Sequence, residues 1–115
     1  MSTATANPIS PIKKLRRDIH VTRSTFCRLL PVSERLLADL ETNKRTPSPA
    51  VKREFNELSR LIAALKKTID PDYLAEWLST PNKAFGDLKP IEVIERGEVD
   101  RLWHMIYSIE SGQPV

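Results

Sequence analysis

The side chains able to do chemistry are few in this chain and poorly grouped for it. His20 and His104 stand far apart, Cys27 is the single cysteine, and no Cys-x-x-Cys or His-x-x-x-His spacing occurs, so no ligand set for a metal is in view. With three glycines in all, there is neither a phosphate-cradling loop nor a nucleophile elbow. The carboxylates sit beside Lys or Arg on stretches of helical pattern, where solvated faces are the ordinary outcome. His104 lies between Trp103 and Met105 on an amphipathic segment, the setting of a structural histidine. No catalytic residue, metal or cofactor is expected. What remains is the chemistry of binding: cationic groups that suit phosphates and aromatic rings that suit a protein surface.

Those groups are unevenly distributed. Residues 1–70 hold 14 Lys and Arg against 7 Asp and Glu, residues 71–115 hold 4 against 8, and the net charge of the whole is only +3. A basic front half suits a polyanion such as DNA, while an acidic back half is repelled by one and should serve a different partner. Solvated charge without a partner is the alternative. In the front half Arg23, Arg28, Lys44, Arg45, Lys52 and Arg53 gather near helix ends and a linking loop, where they would touch phosphates and supply affinity and register rather than sequence choice. In the back half Tyr73, Trp77, Phe85 and Trp103 cannot all be hidden in so small a unit, so at least one is expected to be displayed as an anchor.

The elements that must position these groups are helices. Runs of β-branched residues with period-two alternation are absent, and Pro with Ser, Thr, Asp or Asn punctuates the chain. Ser10-Pro11 opens a helix to about Asp18 that buries Ile12, Leu15 and Ile19. Thr22 caps a helix through Leu30 with Phe26, Cys27, Leu29 and Leu30 on its apolar face, and Ser33 caps another with Leu36, Leu37 and Leu40 inward, ending near Asn43. Ser48-Pro49 starts the longest helix, to about Lys67, along a seam of Val51, Phe55, Leu58, Ile62 and Leu65. Asp70-Pro71 should open the next, with Tyr73, Leu74, Trp77 and Leu78 on one face. Asn82 caps a turn released at Gly86, Pro90 begins a two-turn helix stopped at Gly97, and a last helix from about Glu98 to Ser111 turns Val99, Leu102, Trp103, Ile106 and Ile109 inward.

At 115 residues and 13.1 kDa the chain has room for one domain or two half-size units, each in need of a partner or a second copy. The fold class is all-α. The expected organisation is a flexible arm at 1–9, a DNA-binding unit with its long linking helix at 10–68, and a partner-binding unit with a C-terminal tail at 69–115. No apolar stretch approaches the ~18 residues of a membrane span, and no signal segment opens the chain, so a cytoplasmic protein is expected.

The span Thr22 to Lys44 resembles the Xre/Cro-type helix-turn-helix without gaps. Cys27 stands for the small mid-helix residue, Val32 for the hydrophobic one after the turn, Ser33 for the cap, Leu36 and Leu37 for the aliphatic pair, and Glu41, Lys44 and Arg45 for the closing charges. Pro31 and Asn43 stand where that pattern has glycine. The resemblance implies that Arg23, Arg28, Ser33, Glu34, Arg35, Lys44 and Arg45 form a DNA face, with Arg35 able to read guanine and Glu34 able to accept from cytosine. From Tyr73 onward, Trp77-Leu78, Thr80-Pro81-Asn82, Phe85-Gly86, Lys89-Pro90, Val93-Ile94, Gly97 and the Leu102 helix resemble the toxin-binding domain of the Xre/MbcA/ParS antitoxin family over about 40 residues. That resemblance implies a RES-domain toxin that degrades NAD⁺ as partner, operator DNA as ligand, and a homodimer formed through the helix-turn-helix half and the long helix. The toxin would meet Trp77, Phe85, Arg96, Arg101 and Trp103, with Gln113, Pro114 and Val115 plugging its pocket. A stand-alone regulator without a toxin, or an adaptor that binds protein alone, stays open.

Overall fold

The computed structural model describes residues 9–112. The N-terminal arm other than Ile9, and the tail residues Gln113, Pro114 and Val115, lie outside the described residues. Seven α-helices follow one another: α1 Pro11–Asp18, α2 Arg23–Leu29, α3 Glu34–Glu41, α4 Pro49–Thr68, α5 Leu74–Leu78, α6 Pro90–Glu95 and α7 Val99–Glu110, with a short 3-10 turn at Lys83–Phe85 between α5 and α6. Among the described residues the sole β pairing is an isolated antiparallel bridge between Asn82 and Leu88. The all-α reading holds.

The caps account for the helix starts. Ser10, Thr22 and Ser33 each accept from a backbone N–H in the first turn, at Ile12 (3.2 Å), Thr25 (3.2 Å) and Leu36 (3.0 Å), and Ser48 does the same for Val51 (3.2 Å). Asn43 stops α3 in the left-handed region at φ 62. The exception is Asp70-Pro71. Its carboxylate accepts from the Asp72 N–H (2.9 Å), the Tyr73 and Leu74 N–H groups reach back only three residues, and the chain turns until α5 begins at Leu74. A short side chain that bonds two residues on makes a turn as readily as a helix start, and here the turn prevails.

The chain forms two compact units, and the division falls inside α4 between Phe55 and Asn56. A boundary near residue 68 was the expectation from charge and from the Asp70-Pro71 break. The last turns of α4 instead supply the buried Leu58, Leu61, Ile62 and Leu65 to the second unit, whereas Val51 and Phe55 are half-buried.

In the first unit α3 packs on both α1 and α2. Its apolar interior is Ile12, Leu15, Ile19, Phe26, Leu30, Leu37 and Leu40, while Cys27, Leu29 and Leu36, expected inside, are half-buried. The interior also holds a charge. Glu41 has a side chain 0% exposed, and its two oxygens are met from two helices: Arg16 gives Nε (2.6 Å) to one oxygen and Nη2 (3.0 Å) to the other, and Arg23 gives Nε (3.1 Å) to the second. Arg16 also donates to the Val21 carbonyl (3.0 Å). In the second unit α6 packs on α5 and α7, around Leu74, Leu78, Val93, Leu102 and Ile106. Met105 and Ser108 are buried on α7, while Ile109, expected inward, is 46% exposed in the last turn.

Burial alone pushes the Glu41 carboxyl up, but the hydrogen bonds and charges of Arg16 and Arg23 outweigh it and hold it below the usual glutamate range. The unfolded chain therefore binds more protons between the two values. The stabilisation is complete above the usual glutamate range and is lost as pH falls through the lower, folded value. Substituting Glu41→Gln is expected to destabilise the first unit by about 3 kcal/mol at neutral pH and to flatten its acid dependence. Urea denaturation followed by NMR at α1–α3 amides, run across the acid range, measures both.

Candidate functional site

The basic face of the first unit is assembled from the ends of α2 and α3 and the loop that follows. Arg28 is exposed near the end of α2 and donates to the Thr25 hydroxyl (3.4 Å). Ser33 uses its hydroxyl to cap α3, and Glu34 and Arg35 project from the exposed first turn. Lys44 and Arg45 are exposed just past α3, their backbone N–H groups both turned onto the Asp39 carbonyl (2.9 and 3.3 Å). Arg23 is different. It is held by Glu41, so part of its donor set and charge is already engaged inside the unit. Spacing alone did not reveal this, because Glu41 read as a surface charge closing the helix-turn-helix pattern. Its place at i+4 from Leu37 on the buried side of α3 was the available sign.

Cys27 sits half-buried on α2. Burial and the negative charges of Glu34 and Glu41 push its thiol up, which keeps it protonated at neutral pH and a poor nucleophile. Among the described residues no group of three or more His, Cys, Asp and Glu is placed to hold a metal.

In the second unit Trp77, Phe85, Arg96 and Arg101 form one connected surface. Phe85 is nearly enclosed, at 3% exposed, so it supports the surface from below rather than projecting from it. Trp77 meets it edge-on at 6.4 Å between centroids, and the Arg101 guanidinium lies over its ring at 5.7 Å. Glu98 bridges Arg96 (3.2 Å) and Arg101 (2.9 Å) and fixes where both cations point. The hydrogen bond from Arg101 and the two positive charges hold the Glu98 carboxyl below its usual range. Beside them Ala84, Phe85, Asp100, Arg101, His104 and Met105 line an open pocket of about 320 Å³.

The loop that carries Phe85 depends on two consecutive left-handed residues. Gly86 (φ 64) and Asp87 (φ 68) form the centre of a tight turn closed by Leu88 N–H to the Phe85 carbonyl (3.2 Å). Glycine takes that conformation at no steric penalty and aspartate is among the residues that tolerate it.

Trp103 belongs to a second cluster. It is half-buried and stacks on Tyr107 at 5.9 Å with ring planes 27° apart, and Tyr107 is 60% exposed. Two residues of helix separate Arg101 from Trp103 by about 200°, so α7 presents the two clusters on opposite flanks with Leu102, Met105 and Ile106 buried between them. Tyr107 was not singled out from the sequence. The aromatic i, i+4 pair that it makes with Trp103 was the signal for it.

Fold and surfaces together describe a small helical protein whose two units each display a distinct face, one cationic and one aromatic. The same fold is seen in a chain of the crystal structure of the M. tuberculosis MbcT-MbcA toxin-antitoxin complex, with a TM-score of 0.70 over 92% of this chain and 96% of that one at 22% sequence identity. At that identity the likeness is one of fold. Neither a family model nor a curated protein matches the sequence. Among the described residues no helix is long and apolar enough to cross a membrane.

Displayed rings and core residues respond differently to truncation. Leu102→Ala, at a fully buried position, is expected to destabilise the second unit by about 2–5 kcal/mol. Tyr107→Ala is expected to change it by less than about 1 kcal/mol. Urea midpoints of the two variants separate a side chain held for packing from one displayed at the surface.

Proposed function

We propose that this chain is an antitoxin whose second unit seats on a toxin enzyme and covers the entrance to its active site. One observation carries the reading: the likeness of fold runs through both units to a chain of a toxin-antitoxin complex, covering 92% of this chain. The displayed aromatic groups supply a physical reason. Trp and Tyr are the typical anchors of protein interfaces, and Trp103 with Tyr107 offers a pre-stacked pair that loses little side-chain freedom on docking. The partner we assign is a RES-domain toxin that degrades NAD⁺. Trp77 and the Phe85-supported Arg101, with Arg96, meet it on one flank of α7 and Trp103 on the other, while Gln113, Pro114 and Val115 reach its nucleotide pocket.

The first unit, in this reading, binds operator DNA and represses the chain's own operon. Arg28, Lys44 and Arg45 take phosphates, Arg23 contributes what Glu41 leaves of its charge, and Ser33, Glu34 and Arg35 face the major groove. A second copy, met through the first unit and α4, sets two recognition helices on paired half-sites. Toxin bound to the second unit then draws dimers together and raises their avidity for tandem sites.

Co-expression with the polypeptide encoded next to this chain tests the toxin arm. The wild-type chain is expected to co-purify with that polypeptide and to abolish its NAD⁺ consumption. The double variant Trp103→Ala/Tyr107→Ala is expected to weaken the complex by about 2–4 kcal/mol, read by calorimetry. Removal of residues 113–115 is expected to restore NAD⁺ consumption within an intact complex. Absence of any complex with the neighbouring polypeptide refutes the antitoxin reading and leaves a stand-alone regulator.

A further inference from the structure

The cations of the first unit are not concentrated on α3. The exposed start of that helix offers Glu34 beside Arg35, with Asp39 half-exposed a turn later, and Arg23 on α2 is engaged by Glu41. Besides Arg28, Lys44 and Arg45 at the ends of α2 and α3, exposed positive charge lies on α1. Ile12, Leu15 and Ile19 take its buried side, and Arg16 turns inward to Glu41 and the Val21 carbonyl. Lys14 and Arg17 are exposed on the outer side, and the half-buried Lys13 stands beside them, one turn from Arg17. No ion pair among the described residues holds any of the three.

Just past the helix end His20 adopts φ 56, which brings it to the same place. Ile9, Lys14, Arg17, Asp18 and His20 line an open pocket of about 370 Å³. Asp18 is the one acid there, and it has an interaction of its own. The helix dipole explains a basic residue in the last turn, and so accounts for Arg17, but it has no favourable effect on Lys13 and Lys14 a turn earlier.

We infer that the outer face of α1, Lys13, Lys14 and Arg17 together with His20, is a second phosphate-binding site of the first unit, one that takes the backbone of duplex DNA beyond the reach of α3. The inference rests on the reading of the first unit as a DNA-binding unit. From Lys13 to His20 the face runs roughly 10 Å along the helix direction. A DNA strand carries a phosphate about every 3.4 Å of axis, so the face has room for two or three. A site of this kind gives affinity and orientation, which the mixed charges of α3 supply poorly, and leaves base choice to Arg35.

Fluorescence anisotropy of the full chain with a fluorescein-labelled duplex of mixed sequence, titrated from low to physiological salt, tests the site. The variant Lys13→Gln/Lys14→Gln/Arg17→Gln is compared with Lys44→Gln/Arg45→Gln and with the charge-preserving Lys13→Arg/Lys14→Arg/Arg17→Lys. Glutamine has nearly the helix propensity of the residues it replaces, so α1 should persist, and thermal melts check that it does. The α1 glutamine variant is expected to bind about ten-fold or more weakly at low salt, with a salt slope shallower by about two to three, and the charge-preserving variant is expected to bind as wild type. Undiminished binding by the α1 glutamine variant, with loss in the Lys44/Arg45 variant, overturns the α1 site and leaves the DNA reading standing. Failure of the wild-type chain to bind the duplex even at low salt overturns both.

Discussion

The first unit is organised around a carboxylate that water does not reach. Glu41, at the end of α3, gathers Arg16 from α1 and Arg23 from α2, and each of its oxygens has an assigned partner. By energy alone, an apolar residue of similar volume would hold three helices together as well or better, since charged groups taken from water are costly to desolvate. What the ionic node adds is register. A slip of α3 by one residue would strand a negative charge in the interior, whereas an aliphatic interior of Phe26, Leu30, Leu37 and Leu40 could accommodate modest repacking. The node also decides which cations are left for a partner. Arg16 and Arg23 are committed to Glu41, which leaves the cations of α1 with Arg28, Lys44 and Arg45 as the exposed positive charge near these helices.

The second unit is governed by the scarcity of interior. A unit of about sixty residues buries a smaller share of its surface than a larger domain can, and its helices α5 and α6 are only five and six residues long. Leu74, Leu78, Val93, Leu102 and Ile106 fill that interior. Phe85 enters it only because a left-handed turn at Gly86 and Asp87 folds its loop back and Arg101 closes over the ring. Trp77 and Trp103 are left half outside and Tyr107 mostly so. Stacking Trp103 on Tyr107 lowers the apolar area that the pair exposes, yet leaves a broad aromatic face on one flank of α7.

The helix starts were legible because capping is local. Ser10, Thr22, Ser33 and Asn82 each bond to an amide two or three residues on, and Pro11, Pro49 and Pro90 stand where a missing N–H does no harm. Periodicity likewise found Ile12, Leu15, Leu58, Ile62 and Leu102 on buried sides. What could not be read was anything decided by a second element. Glu41 has the composition of a surface residue and becomes interior only when α1 and α2 supply two guanidinium groups. Ile109 sits on the inward stripe of α7 by spacing, yet it is exposed while Ser108 beside it is buried, so the side covered in the last turn is decided by packing and not by periodicity. Phe85 and Trp103 looked equivalent as candidate anchors, and only the loop after Asn82 separates a ring that supports from a ring that shows.

Splitting the chain after Phe55 keeps the opposite signs of its two parts, with a slightly smaller contrast than a split after residue 70. Residues 1–55 hold eleven Lys and Arg against five Asp and Glu, and residues 56–115 hold seven against ten. With opposite signs on its two units, the chain's field draws a polyanion to one unit and repels it from the other. If the partner is the dinucleotide-cleaving enzyme proposed above, its pocket needs cationic groups to receive phosphates, and such a mouth is attracted to an acidic surface and repelled by a basic one. Glu98 pairs with both Arg96 and Arg101 and so fixes where these two cations of the second unit point. In the proposed reading charge selects which unit each partner meets, while the aromatic flank of α7 provides the desolvated contact that charge alone cannot.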